Sequence, residues 1–257
     1  MMKLFDLTGR TAVVTGSTRG IGRAIAEGMA SVGANVVISS RKADACAEVA
    51  TAIEAAGGKA AAIPCHIGDA NQRRALVEGT HDRFGPIDIL VCNAAINPYY
   101  GPIEDMPDDT FDRMMAVNVR CNLNLAALAR PDMAAKKAGA IIVVSSIAGL
   151  MGNTALGAYG ITKAADMQLV RNLAVSWGKD DIRVNAIAPG LIKTDFAKVL
   201  WDNPEILEST LRQSPLGRIG DPVDIAGAAV MLASDAGRFI TGATIVIDGG
   251  VTVANRL

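Results

Sequence analysis

"TAVVTGSTRGIG", residues 11–22, joins a run of β-formers to a turn of glycines and small polar residues, and then to the start of a helical pattern. Residues 11–15 are short, apolar and rich in β-branched side chains, and they lack the polar alternation of a strand with one wet face. Gly16, Gly20 and Gly22 follow at once. Glycines in a strand-to-helix turn let the main chain bend sharply and approach a pyrophosphate, whose charge the helix N-terminus then stabilises. The spacing is GxxxGxG, neither GxGxxG nor a P-loop ending in GK and Ser or Thr. A plain tight turn is the alternative. Placement directly after the first strand favours a nucleotide held by segment 15–22, through Gly16, Thr18, Arg19, Gly20, Ile21 and Gly22.

The same alternation continues along the chain. Strand-like runs rich in Val, Ile and Ala recur at 35–39, 60–64, 88–92, 140–145, 183–188 and 243–247, and helical patterns at 20–32, 42–56, 69–84, 108–136, 158–178 and 222–233. Strand and helix in turn, with right-handed crossovers, predict a doubly wound α/β domain with a seven-stranded parallel sheet flanked by helices. No linker or repeat divides the chain, so residues 1–257 are expected to form one domain. The stretch 190–221 has no strand pattern and interrupts the rhythm, as lids and binding loops do.

Composition narrows the function. Half of the 257 residues are hydrophobic, enough to bury roughly 70–75% of the extended surface. Net charge is −1 with no charged runs, which argues against nucleic acid or an anionic membrane as partner and leaves a small molecule. No apolar run reaches membrane-spanning length, and "MMKLFDLTGR" lacks a signal-peptide core, so a cytoplasmic protein is expected. Cys46, Cys65, Cys92 and Cys121 lie far apart, with no CxxC, HExxH or GxSxG, so no metal is expected and the cysteines read as reduced, partly buried thiols.

The end of the second strand bears on which nucleotide is bound. An acidic residue there would accept hydrogen bonds from an adenosine ribose, as NAD requires, but "VVISSRK" offers Ser40, Arg41 and Lys42. Arg41 and Arg19 together could fork a 2′-phosphate, which favours NADP, with NAD the alternative. Arg41 and Lys42 could equally begin a solvated helix.

"AYGITKAADMQL", residues 158–169, sets Tyr159 and Lys163 four apart on one helical face. An ammonium beside a phenol lowers the phenol pKa from about 10, so Tyr159 becomes a usable acid or base. YxxxK by itself more often marks a plain helix-surface pair.

"TGSTRGIG", "CNAAI", "FDRMMAVNVR", "VVSSIAG", "YGITK", "RVNAIAPG" and "ITGATIVIDGG" occur here in order. In that order and spacing the chain resembles the short-chain dehydrogenase/reductase family from about residue 6 to 250, with "CHIGD" and "NAAINPYYG" similar to a carbonyl-reductase branch. The resemblance implies a Rossmann fold, a nicotinamide nucleotide cofactor, a carbonyl or alcohol substrate and a homotetramer. It implies that Tyr159 exchanges the proton with substrate oxygen and that Ser146 hydrogen-bonds that oxygen. Lys163 would tune Tyr159 and hold the nicotinamide ribose, and Asn118 would anchor a water linking Lys163 to solvent. Ser145, on the opposite side of the strand from Ser146, would lie near the cofactor. Asn93, Ala94 and Ala95 would lie under the adenosine ribose, and Pro189, Gly190, Ile192 and Thr194 at the carboxamide and pyrophosphate. Cys92 and Ala95 depart from the family's usual NNAG. His66 stands where an aspartate commonly meets adenine, which puts that contact in doubt, while Ile67 can still pack on the base. Asn118 has the plainer alternative of a capped or kinked helix.

The substrate is less legible. Leu191, Phe196, Val199, Leu200, Trp201, Ile206 and Leu207, with Tyr99 and Tyr100, could line an apolar pocket for a hydrophobic carbonyl, or could simply pack against the domain or a neighbouring subunit. NADPH-dependent carbonyl reduction is the expected activity. An NAD-linked alcohol dehydrogenase and an inactive nucleotide-binding regulator are the rivals, and a methyltransferase is the weakest of them.

Overall fold

The structure is a computed structural model and describes residues 2–254. All seven strands are parallel: β1 (Thr11–Thr15), β2 (Asn35–Ser39), β3 (Lys59–Ala62), β4 (Ile89–Cys92), β5 (Gly139–Val144), β6 (Ile182–Pro189) and β7 (Thr244–Ile247). They lie in the order β3-β2-β1-β4-β5-β6-β7. β1 and β2 match the expected spans, and the other five differ at one or both ends by one or two residues. The central strands β1, β4 and β5 are buried almost throughout because helices cover both faces.

Helices α1 (Gly20–Ser31), α2 (Ala43–Ala55) and α9 (Pro222–Ala233) cover one face, where Ile25, Ile53 and Leu232 pack on Val14, Val36 and Ile142. Helices α3 (Ala70–Phe84), α5 (Cys121–Lys136) and α6 (Gly157–Trp177) cover the other, where Leu76, Leu125 and Val170 pack on Val13, Leu90 and Val143. Val13 and Val14 serve opposite cores because strand side chains alternate.

After β1 the chain moves outward to β2 and β3, then returns to lay β4 on the other side of β1. The two crossovers diverge at this point, and the carboxyl ends of β1 and β4 border a crevice. Val14 pairs with Val91, which brings the turn after β1 beside Asn93.

Two expectations are corrected. The helix expected over 108–136 is not uniform: α4 (Asp108–Met115) passes through a widened π turn at Ala116–Arg120 before α5 begins. The stretch 190–221 is not an open loop. It holds a 3₁₀ turn (Asp195–Ala197), α7 (Lys198–Trp201) and α8 (Pro204–Gln213), and Ile192 pairs with Gly220 across its base. Asn203 starts α8 by accepting from the N–H groups of Glu205 and Ile206 at 3.0 and 3.2 Å. No described helix is long and apolar enough to cross a membrane.

Candidate active site

The turn after β1 needs its glycines. Gly16 and Gly20 have φ of +65° and +54°, a region that side chains disfavour. A Cβ on Gly22 would overlap the Asn93 side chain and the Gly16 carbonyl. Asn93 ties β4 to the turn, donating from its amide to the carbonyls of Thr15 and Gly16 at 2.9 and 3.2 Å. No side chain caps the start of α1, so its first N–H groups remain available to an anion.

A cavity of about 530 Å³ runs from this turn across the carboxyl ends of the strands. Gly16, Arg19, Gly20, Ile21, Gly22, Asn93, Ala94, Ala95, Pro189, Gly190, Ile192 and Thr194 line it together with Ser145, Ser146, Tyr159 and Lys163. The glycine cradle and the uncapped helix terminus fit a dinucleotide phosphate there. Thr18, Ser40, Arg41, His66 and Ile67 do not line this cavity. Ser40 and Arg41 follow β2, where the Ser40 carbonyl accepts from Cys65 N at 2.9 Å, so His66 and Ile67 stand beside them at the same sheet end. His66 Nδ1 accepts from Gly68 N at 3.1 Å, and Ile67 is buried. Arg19 is drawn toward Asp195, Nη1 to Oδ2 3.3 Å, with both side chains exposed.

Ser146 reaches Tyr159 because the segment after β5 presses directly onto α6. A Cβ on Gly149 would lie 2.6 Å from Ala164 N and 2.7 Å from the Lys163 carbonyl carbon, and one on Gly160 would lie 2.5 Å from Ala148 O. Ser146 Oγ accepts from Ala148 N at 3.1 Å, which orients the hydroxyl. Ser145 also lines the cavity, but its hydroxyl donates to the Lys163 carbonyl at 2.8 Å and so fixes β5 to α6.

Lys163 Nζ lies 5.6 Å from the centre of the Tyr159 ring, as the helical spacing requires. The expected lowering of the Tyr159 pKa is not found. Burial pushes the phenol above its ordinary value, and the opposing pulls of Lys163 and Ser146 do not offset it. Desolvation wins because the ammonium is shared: Lys163 Nζ donates to Val144 O at 3.0 Å and to Asp166 Oδ2 at 3.1 Å. Burial alone would lower the Lys163 pKa, but Asp166 and Tyr159 hold it above the ordinary value. Burial likewise raises the Asp166 carboxyl.

Asn118 sits at the widened turn, wholly buried and outside the cavity wall. Its side chain accepts from Ile96 N and donates to Ile96 O, both at 2.9 Å, and donates to Thr162 Oγ1 at 3.1 Å. Widened helical turns recur at functional sites. Sequence reasoning missed Asp166 and Asn122, whose side chains meet at 3.0 Å inside the same region. The available signal was an aspartate three residues after Lys163, on the same helical face.

Beyond Tyr159 the wall turns apolar. Leu191, Phe196, Leu200, Ile206 and Tyr100 line it as expected, with Met151 and Leu156 in addition. The Phe196 ring tilts against Tyr159, with centroids 6.2 Å apart. Val199, Trp201, Leu207 and Tyr99 do not take part. The Trp201 indole N–H donates to Thr194 O at 2.7 Å and braces the segment, while Tyr99 donates to Pro102 O. The four cysteines are free and buried.

Comparison with known proteins agrees with this geometry. A family model described as enoyl-(acyl carrier protein) reductase matches residues 16–252. The chain is 39% identical over 250 residues to dehydrogenase/reductase SDR family member 4 of Bos taurus, covering 97% of this chain and 90% of that one. It is similar in structure to a gluconate 5-dehydrogenase from Burkholderia cenocepacia in complex with NADP and tartrate (TM-score 0.94, 33% identity, 99% of both chains). It is also similar to a 7α-hydroxysteroid dehydrogenase complexed with NADH and 7-oxo glycochenodeoxycholic acid (TM-score 0.94, 38% identity, 97% of both chains). With a glycine turn at the β1–β4 crevice and Ser146, Tyr159 and Lys163 on one cavity wall, the chain belongs to the short-chain dehydrogenase/reductase family, oxidoreductases that act on CH–OH and C=O groups with a nicotinamide nucleotide.

Proposed function

We propose that the protein is a cytoplasmic, NADP(H)-dependent carbonyl reductase for an apolar ketone or aldehyde, working as a homotetramer. The observation that carries this reading is the single cavity that joins the glycine turn to Ser146, Tyr159 and Lys163, with apolar side chains beyond them. When bound, the nicotinamide supplies the hydride in reduction and accepts it in oxidation. Gly16, Thr18, Gly20, Ile21 and Gly22 would hold its pyrophosphate. Ser40, Arg41, His66, Ile67, Asn93, Ala94 and Ala95 would hold the adenosine end, and Pro189, Gly190, Ile192 and Thr194 the nicotinamide side.

Ser146 donates a hydrogen bond to the substrate oxygen and so holds the carbonyl. Tyr159 gives that oxygen its proton in reduction and takes it back in oxidation. Lys163 would hold the nicotinamide ribose, and it keeps positive charge beside the phenol. Asn118 fixes the turn against which α6 packs. Leu123, Ile161 and Val175, exposed on α5 and α6, support an assembly through these helices.

Arg41, exposed at the end of β2 with no acid beside it, supports NADP. The contact of Arg19 with Asp195 favours a second reading, an NAD-linked alcohol dehydrogenase, because it draws one guanidinium away from a 2′-phosphate. A fluorescence titration with NADPH and NADH separates the two. NADPH is expected to bind at least about tenfold tighter, or about 1.4 kcal/mol, and equal or tighter NADH binding overturns the NADP assignment. With a ketone found by screening, Tyr159→Phe is expected to lose roughly 10²-fold or more in turnover. Retained turnover would remove Tyr159 from the chemistry.

A further inference from the structure

In the proposed reaction Lys163 acts on Tyr159, and the structure also shows what acts on Lys163. Its side chain is 1% exposed, and two of its three ammonium hydrogens are bound, one by Val144 O and one by Asp166 Oδ2. Asp166 is itself fully buried, and its other oxygen accepts from Asn122 Nδ2 at 3.0 Å. The same Asn122 amide donates to the main-chain carbonyl of Asn118. A continuous run of hydrogen bonds thus leads from Lys163 through Asp166 and Asn122 to the widened turn.

A carboxylate sealed inside a protein is costly, and an apolar residue of similar size often serves packing as well or better. The charge must therefore be judged by its effect on its neighbours. We propose that Asp166, held by Asn122, is a positioning residue: it fixes the Lys163 ammonium against the Val144 carbonyl and cancels part of the positive charge that Tyr159 would otherwise feel, a role that rests on Tyr159 being the acid and base of the proposed reaction. The titratable groups facing this pair are Tyr159 on α6, Cys92 at the end of β4 and, beyond the phenol, Tyr100 from the following segment. Burial pushes the Cys92 thiol far up, so it stays neutral and Asp166 is the anion that matters.

Removing a negative charge lowers the first proton loss of the Tyr159–Lys163 pair, whichever residue gives the proton. In Asp166→Asn the rising limb of the pH profile of kcat/KM for alcohol oxidation is expected to move acidward by about 1 pH unit or more. Asp166→Glu, which keeps the charge, is expected to restore the parent limb. The chain has three tyrosines, Tyr99, Tyr100 and Tyr159, so ¹³Cζ-tyrosine NMR follows the same change without a substrate, with Tyr159→Phe assigning the signal. If Asp166→Asn does not fold, Asp166→Leu, which removes the same charge at similar volume and leaves no side-chain amide to satisfy, takes its place and is expected to shift the limb in the same direction. A limb and a Tyr159 midpoint unmoved in the variant that folds, while Tyr159→Phe is inactive, overturn the role of Asp166 alone. Parent-like turnover in Tyr159→Phe overturns the acid–base assignment and this role with it.

Discussion

Tyr159 lies where burial resists its ionisation, so as the acid and base of the proposed reaction it would serve reduction better than oxidation at neutral pH. Reduction needs the phenol protonated, which burial favours, and oxidation needs it ionised, which burial opposes. For the cofactor-loaded enzyme, kcat/KM for carbonyl reduction is expected to stay level up to about pH 9 and to fall only as the pH passes a Tyr159 value above the ordinary phenol value of about 10. Oxidation is expected to keep rising over the same range. A reductive profile that already falls by half near pH 8 would show that Lys163 outweighs burial once the cofactor is in place. The Tyr159–Lys163 pairing was legible from helical spacing, but the raised pKa was not, because spacing carries no information about desolvation or about Asp166 sharing the ammonium.

At the scale of elements, the site depends on how closely the segment after β5 approaches α6. Gly149 has no room for a methyl group, since Ala164 N and the Lys163 carbonyl carbon are main-chain atoms that cannot yield locally. Gly149→Ala is expected to destabilise the fold by about 1–3 kcal/mol, read from denaturant unfolding. Displacing Ser146 from Tyr159 by even 1 Å is expected to lower turnover by about 10²-fold. Gly152→Ala is the control: nothing lies within 4 Å of its added carbon, so stability is expected to stay within about 0.5 kcal/mol. A Gly149→Ala enzyme as stable and active as the control would show that this approach does not position Ser146.

For the whole molecule, the exposed apolar side chains bear on assembly: Ile161 and Val175 on α6, the latter 87% exposed, Leu123 on α5, Val223 on α9, 71% exposed, and Phe239, fully exposed ahead of β7. Scattered exposed apolar residues are ordinary, but large contiguous patches mark interfaces. Light scattering on the purified protein is expected to give a tetramer. Val175→Asp is expected to leave the circular dichroism spectrum unchanged and reduce the assembly to a smaller one, because it buries an unpaired carboxylate in the contact. A tetramer that survives Val175→Asp would place the contact elsewhere.

Local chemistry is what the chain announces in one dimension. The strand, glycine turn and helix at residues 11–32, the parallel α/β alternation and the spacing of Tyr159 and Lys163 are all legible because each depends on near neighbours in sequence: β-branching, freedom at positive φ, and the 3.6-residue helical period. Helix α9 matched its expected bounds for the same reason. Burial and partnership are different, since they depend on residues far apart in the chain. The widened turn at Asn118 is held by Ile96 and Thr162, Trp201 turns from the cavity to Thr194, and Asp166 meets Asn122 across 44 positions. Which polar groups are sealed from water, and which charges they then share, is a property of the packed structure, because desolvation exists only once distant elements close over a side chain.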